Sequence, residues 1–152
     1  MTEILLGSTR YTRGVDLWAL GTILGEMINC RPVFPGTSTM NQIERIVEVT
    51  GMPGKADIDA IASSFAETML ESLPVMNYKS IPQTFPTASA EALDLIKVCF
   101  NFNPERRSSA EDLLRHVYCA EFHNEDEEPN YPHGPLRLPI DDNVKLTAPQ
   151  YR

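Results

Sequence analysis

The chain has 152 residues, 42% of them hydrophobic, with a formal net charge of −8, which suits one globular domain able to bury roughly 68–70% of its unfolded surface. The acidic balance argues against nucleic acid, which needs a basic face, and points to basic partners. The three cysteines Cys30, Cys99 and Cys119 lack paired spacing, no run approaches the roughly 18 apolar residues of a membrane span, and Met1–Gly7 has no signal-peptide pattern, so a soluble cytoplasmic or nuclear protein with reduced thiols is expected.

The first predicted helix runs from about Gly14 to Asn29. Val15, Leu17, Trp18, Leu20, Ile23, Leu24, Met27 and Ile28 leave it almost no polar face, the pattern of a helix buried on most sides. Asp16 lies in its first turn, where a carboxylate interacts well with exposed amides. Arg31-Pro32-Val33-Phe34-Pro35-Gly36 then forms a rigid turn. A second helix is expected from Thr39, with Gln42 completing a capping box and Met40, Ile43, Ile46 and Val47 as its apolar stripe. Gly51-Met52-Pro53-Gly54 stops it.

A third helix is expected over 57–73 on the spacing of Ile58, Ile61, Phe65, Met69 and Leu73, ended by Pro74. The stretch to Pro86 reads as irregular, anchored by Pro82 and Phe85. The fourth helix spans about Ser89 to Phe100, with Ala92, Leu93, Ile96 and Cys99 inward. The fifth follows Arg107, capped by Ser108 with Glu111 or by Ser109 with Asp112, and packed through Leu113, Leu114 and Val117. From Asn124 onward periodicity vanishes, and 130–152 reads as extended or partly disordered. The fold class is all-α.

Two segments carry a signature. Asp16-Leu17-Trp18-Ala19-Leu20-Gly21 fits D-x-W-x-x-G, and Asn103-Pro104-Glu105-Arg106-Arg107 with Ser108-Ser109-Ala110 fits P-x-x-R-x-[S/T]-A. In this order, with several helices between them, they resemble the large lobe of protein kinases. Arg31-Pro32-Val33-Phe34-Pro35-Gly36 resembles the R-P-x-F-P-G turn of mitogen-activated protein kinases, and residues 54–74 stand where that group carries an insert. Phe122-His123, the acidic run Glu125–Glu128 and Val144-Lys145-Leu146-Thr147-Ala148-Pro149-Gln150-Tyr151-Arg152 resemble the atypical branch called mitogen-activated protein kinase fifteen. The resemblance covers essentially the whole chain. It implies the C-terminal helical portion of a kinase large lobe over 1–122, including the insert, and an irregular acidic docking segment with a C-terminal extension over 123–152.

The resemblance also assigns roles. Glu3 would end the A-P-E motif and pair with a buried Arg107, pinning the activation segment to the large lobe, although Met1-Thr2 stand where Ala-Pro is expected. Asp16 would anchor the catalytic loop through its backbone amides; otherwise it only stabilises its own helix end. Glu125, Asp126, Glu127 and Glu128 would form an acidic docking patch that grips basic linear motifs of substrates and activators, with Asn124 replacing an expected aspartate. The alternative is a solvated charged loop. Met40, Ile43 and Met69 would line a second, hydrophobic docking pocket, against an ordinary reading as helix packing. His116, His123 and His133 have no metal-ligand spacing.

Phosphoryl transfer needs parts that this sequence lacks. No G-x-G occurs among its eight glycines, and Lys55, Lys79, Lys97 and Lys145 stand in helical or loop contexts. H-R-D and D-F-G are absent and the T-x-Y activation lip would precede residue 1, so no catalytic, cofactor-binding or metal residue is assigned. ATP and Mg2+ are implied for a parent kinase only. Two readings follow. The chain is part of a proline-directed serine/threonine kinase whose N-terminal half of the domain lies elsewhere, or it is a short, non-catalytic protein that docks kinase partners through its acidic patch. The branch is associated with centrosomes and ciliary bases.

Overall fold

The computed structural model describes residues 1–10, 12–128, 131–134 and 144–150. Among them eight α-helices form and no strand. In order they are α1 (Thr2–Leu5), α2 (Gly14–Asn29), α3 (Thr39–Thr50), α4 (Lys55–Ile61), α5 (Ala66–Glu71), α6 (Ile81–Thr84), α7 (Ala90–Cys99) and α8 (Ala110–Leu114). Short 3-10 turns lie at Pro104–Arg106 and Glu125–Glu127.

The central helix α2 is expected to be buried on most sides and is not. Trp18, Gly21, Leu24 and Gly25 face the core, but Leu20 is 45%, Ile23 55% and Met27 66% exposed. Its buried side comes unusually close to its neighbours. A Cβ on Gly21 would lie 2.5 Å from Cys99 Cβ, and one on Gly25 would lie 2.6 Å from the Phe85 ring. Glycine at both positions therefore lets the α2 backbone approach α7 and Phe85. Around that contact Trp18 and Phe100 (5.1 Å between centroids), Phe34 and Phe100 (5.2 Å), and Phe85 and Phe100 (6.4 Å) form an aromatic chain. Each such pair adds about 0.5–1.5 kcal/mol beyond the area buried.

The interior divides into two clusters with α3 between them. Ile46 and Val49 join Trp18, Leu24, Phe85, Leu95, Ile96 and Phe100, whereas Ile43 and Val47 join Leu6, Ile61, Ala66, Leu70 and Phe102. The start of α3 differs from the expected box: Ser38 caps it by accepting from the Asn41 amide at 3.2 Å. Gln42 instead donates to the Phe34 carbonyl and accepts from the Gly36 amide. It ties the helix to the proline turn because that turn needs its own backbone groups satisfied.

The single helix expected over 57–73 is two, α4 and α5. Ala62 turns left-handed at φ 52°. Ser63 Oγ donates to the Leu6 carbonyl at 2.6 Å and accepts from the Phe65 amide. Serine competes with helical backbone in this way. The break puts Ala66 into the core and leaves Phe65 65% exposed, which unbroken helical spacing after Ile61 would reverse.

In the segment read as irregular, Ser80 and Gln83 form a capping box that starts α6. Phe85 is fully buried, but Pro82 is exposed and anchors nothing. Helix α7 is capped by Ser89 and buries Ala92, Ile96 and Cys99, with Leu93 packed at its edge. Ser109 with Asp112, rather than Ser108 with Glu111, caps α8. That helix stops at Leu114, so Leu113 packs inward while Leu114 and Val117 stay exposed. The tail expectation for 130–152 falls mostly outside the described residues.

Candidate functional site

The most organised polar site is built on Arg107. This residue follows the 3-10 turn Pro104–Arg106, which Asn103 caps by accepting from the Glu105 amide. The turn aims the guanidinium back beneath α1 and the start of α2. Nη1 donates to Glu3 Oε1 at 2.9 Å and to the Gly14 carbonyl at 2.7 Å. Nη2 donates to Glu3 Oε2 and Thr2 Oγ1, both at 3.1 Å, and to the Phe102 carbonyl at 3.3 Å. Nε donates to the Asn101 carbonyl at 2.9 Å. The rigid fork of five N–H groups is thereby consumed, and its planar face lies 5.0 Å from the Trp18 ring.

The Glu3 and Arg107 side chains are both fully excluded from solvent. Glu3 Oε2 also accepts from the Met1 amine at 2.7 Å and the Thr2 hydroxyl at 3.0 Å. Burial pushes the Glu3 carboxyl upward, but the Arg107 hydrogen bonds, the Met1 amine and its own backbone amide pull harder, holding it at about 2. A buried charge pair persists only when its remaining hydrogen-bonding capacity is filled, and here it is. The two ends of this pair are separated by 104 positions.

Thr2, the three backbone carbonyls at Gly14, Asn101 and Phe102, and the cation–π contact of Trp18 belong to the same site and were not singled out in the sequence. Carbonyl partners leave no side-chain signature. Trp18 reads correctly as core, and its second role needs the position of Arg107.

Asp16 is exposed in the first turn of α2, and its carboxylate accepts no hydrogen bond among the described residues. In the acidic run, Asn124 caps the turn Glu125–Glu127. Glu125 accepts from Arg115 Nε at 3.0 Å, and that hydrogen bond holds its carboxyl below the usual range. Glu128 accepts from the Asn124 amide and lies 2.8 Å from His123 Nδ1. Asp126 and Glu127 are exposed and form no ion pair among the described residues. The four carboxylates are therefore brought to one loop, with two already engaged locally.

Met40, Ile43 and Met69 also meet, within the second core cluster. Ile43 is only 2% exposed and the two methionines are partly buried against it, so Ile43 offers no side-chain surface to a partner. Among the described residues no group of three or more His, Cys, Asp or Glu is placed to hold a metal ion.

The protein kinase domain family matches residues 2–119. Extracellular signal-regulated kinase 2 of Dictyostelium discoideum is 51% identical over 150 residues, covering 99% of this chain and 40% of that protein. Mitogen-activated protein kinase 15 of Xenopus laevis is 42% identical over 151 residues, covering 99% of this chain and 26% of that protein. Among solved structures, the MAP kinase LmaMPK10 from Leishmania major superposes with a TM-score of 0.73 at 35% identity, over 81% of this chain and 36% of that one. The chain thus spans between about a quarter and two-fifths of these relatives.

Proposed function

The chain belongs to the protein kinase domain family, and on that premise we propose that it is a large-lobe portion of a mitogen-activated-type serine/threonine kinase that cannot transfer phosphate by itself. The observation that carries this reading is the buried Glu3–Arg107 pair. It is the arrangement expected if the A-P-E glutamate pins an activation segment to the helical lobe, and its geometry is satisfied at every donor. The parent would phosphorylate serine or threonine followed by proline, with ATP and Mg2+ held by residues outside this chain.

The apolar stripe of Leu20, Ile23 and Met27 supports a missing neighbour. Large apolar side chains exposed along one helix face mark a surface that another element covers, and the upstream half of the kinase domain is the natural candidate. Asp16, exposed at the start of the same helix, would hold the catalytic loop that this half supplies. Assignment to the fifteen branch rests on Phe122-His123, the acidic run Glu125–Glu128 and residues 144–152, whereas the Dictyostelium relative has the higher identity. A cytoplasmic or centrosomal location belongs to the same reading.

The test is direct. Incubated with Mg-ATP and a peptide containing Ser-Pro, the chain is expected to yield no phosphopeptide. The same chain joined to an upstream segment carrying H-R-D, D-F-G and T-x-Y is expected to yield it. Phosphate transfer by the chain alone, or none by the joined protein when phosphorylated on its lip, would sink the proposal.

A second reading is favoured by the exposed pair Asp126 and Glu127, which are left for a basic ligand. In it the chain docks kinase partners without catalysis, with 123–152 as the docking segment. Asp126→Lys with Glu127→Lys is expected to weaken binding of a lysine- and arginine-rich peptide roughly several-fold, with a smaller difference at high salt. Unchanged binding, measured by fluorescence anisotropy at two salt concentrations, would remove the patch from the account.

A further inference from the structure

A cavity of about 480 Å³ opens where the end of α2, the C-terminal half of α3 and the end of α6 converge. Its rim runs against the charge of the chain as a whole. In a protein of net charge −8, it gathers Arg31, Arg45 and Lys79 with a single carboxylate, Glu48. That carboxylate is already taken, because Arg45 Nη1 donates to both Glu48 oxygens at 3.0 Å. Arg31 and Lys79 form no ion pair among the described residues. The cavity therefore presents two uncompensated cations.

The walls are held in place by contacts of their own. The Lys79 amide donates to the Glu48 carbonyl at 2.7 Å, fixing the lysine backbone against α3. On the other side the proline turn is tied by the Val33 amide to Glu26 and by Gln42 to Phe34 and Gly36. Pro32 and Val33 give that side an apolar surface. Cations on two separate, braced elements beside an apolar wall suit a ligand that carries charge at one end and a body at the other.

We propose that this cavity binds a phosphate dianion, as a phosphomonoester whose organic body packs against Pro32 and Val33. Charge selects the class. Two free cations match the roughly −1.5 to −2 charge of a phosphomonoester at neutral pH, whereas a carboxylate leaves one cation unmatched. Arginine supplies a planar fork and lysine a point charge, the two usual modes of phosphate recognition. The volume exceeds the need of a bare anion and falls within the range of small-ligand pockets. The proposal stands whether or not the chain is part of a kinase.

Titration of the isotopically labelled chain with phenyl phosphate, at constant ionic strength, tests it. Saturable shifts are expected at the amides of Arg31, Val33 and Lys79. Arg31→Gln and Lys79→Gln should each weaken binding roughly two- to fivefold, and the double variant about tenfold or more. Both side chains are exposed, so helical circular dichroism should not change. Arg31→Lys and Lys79→Arg, which keep the charge, should retain binding if a glutamine variant misfolds. Weaker binding of inorganic phosphate at the same amides identifies the ester as the ligand, and equal binding identifies the free anion. Equal shifts with acetate, or titrations unaltered by the glutamine variants, overturn the proposal.

Discussion

Replacing Arg107 with methionine is expected to lower the stability of the chain by about 3–5 kcal/mol, the usual cost of stripping one partner from a buried ion pair. The size follows from what is left behind. Glu3 would remain fully buried with the Met1 amine, the Thr2 hydroxyl and its own backbone amide as its remaining donors. The carbonyls of Gly14, Asn101 and Phe102 would each lose an N–H partner, and unsatisfied buried groups cost about 1–3 kcal/mol apiece before relaxation. Domains of this size have only about 5–15 kcal/mol in hand, so the variant should melt far below the parent. Glu3→Gln should cost less, because the amide oxygen still accepts from the guanidinium. The double variant should cost less than the two single losses added together, since it leaves no carboxylate buried beside a missing cation. Urea midpoints for the three variants measure this. Additive losses would mean that Glu3 and Arg107 contribute independently.

The second large effect is acid sensitivity carried by one carboxyl. Glu3 is held at about 2 in the folded chain against an ordinary value of 4.5. Burial alone would raise it; the hydrogen bonds from Arg107 and the Met1 amine override that. A carboxyl depressed on folding contributes stability that is fully present above its unfolded value and is lost as pH falls through its folded value. The window is therefore from about pH 4.5 down to about pH 2. The contribution is on the order of 3 kcal/mol, since each unit of difference is about 1.4 kcal/mol. Other carboxylates titrate in the same range, so the useful quantity is the gap between the parent and Glu3→Gln. That gap should be widest above pH 5 and should close toward pH 2. A gap that stays constant across the window would show that the Glu3 carboxylate carries no pH-dependent stability.

Parts of this architecture were legible because their signals are local. The span of α2 follows from an apolar run bounded by Gly14 and a proline turn, and its ends agree with the structure. The Ser109 box is likewise one of the two pairs three apart that the sequence offers. The expectation failed where a distant contact decided the outcome. The break at Ala62 exists because Ser63 reaches the Leu6 carbonyl, and no spacing within 57–73 encodes that hydrogen bond. Gln42 fits a capping box by position, yet the proline turn claims its side chain.

The exposure of Leu20, Ile23 and Met27 is also invisible to periodicity, which records that residues are apolar and not whether anything lies against them. For the site, the Glu3–Arg107 pairing came from family resemblance. Helical and strand periods carry no information across 104 positions. The assignment of Met40, Ile43 and Met69 to one pocket grouped residues that do meet, but as interior packing around a buried Ile43.

Trp18 is the only tryptophan in the chain, it is 1% exposed, and it contacts the Arg107 guanidinium and the Phe34 and Phe100 rings. The molecule therefore contains a single-site optical reporter at the junction of its ion pair and its main core. Its emission will shift to longer wavelength when water reaches the indole, and its intensity will change when the overlying cation leaves. Loss of the pair without loss of the core, and loss of both together, thus have separate fluorescence signatures in one unlabelled sample.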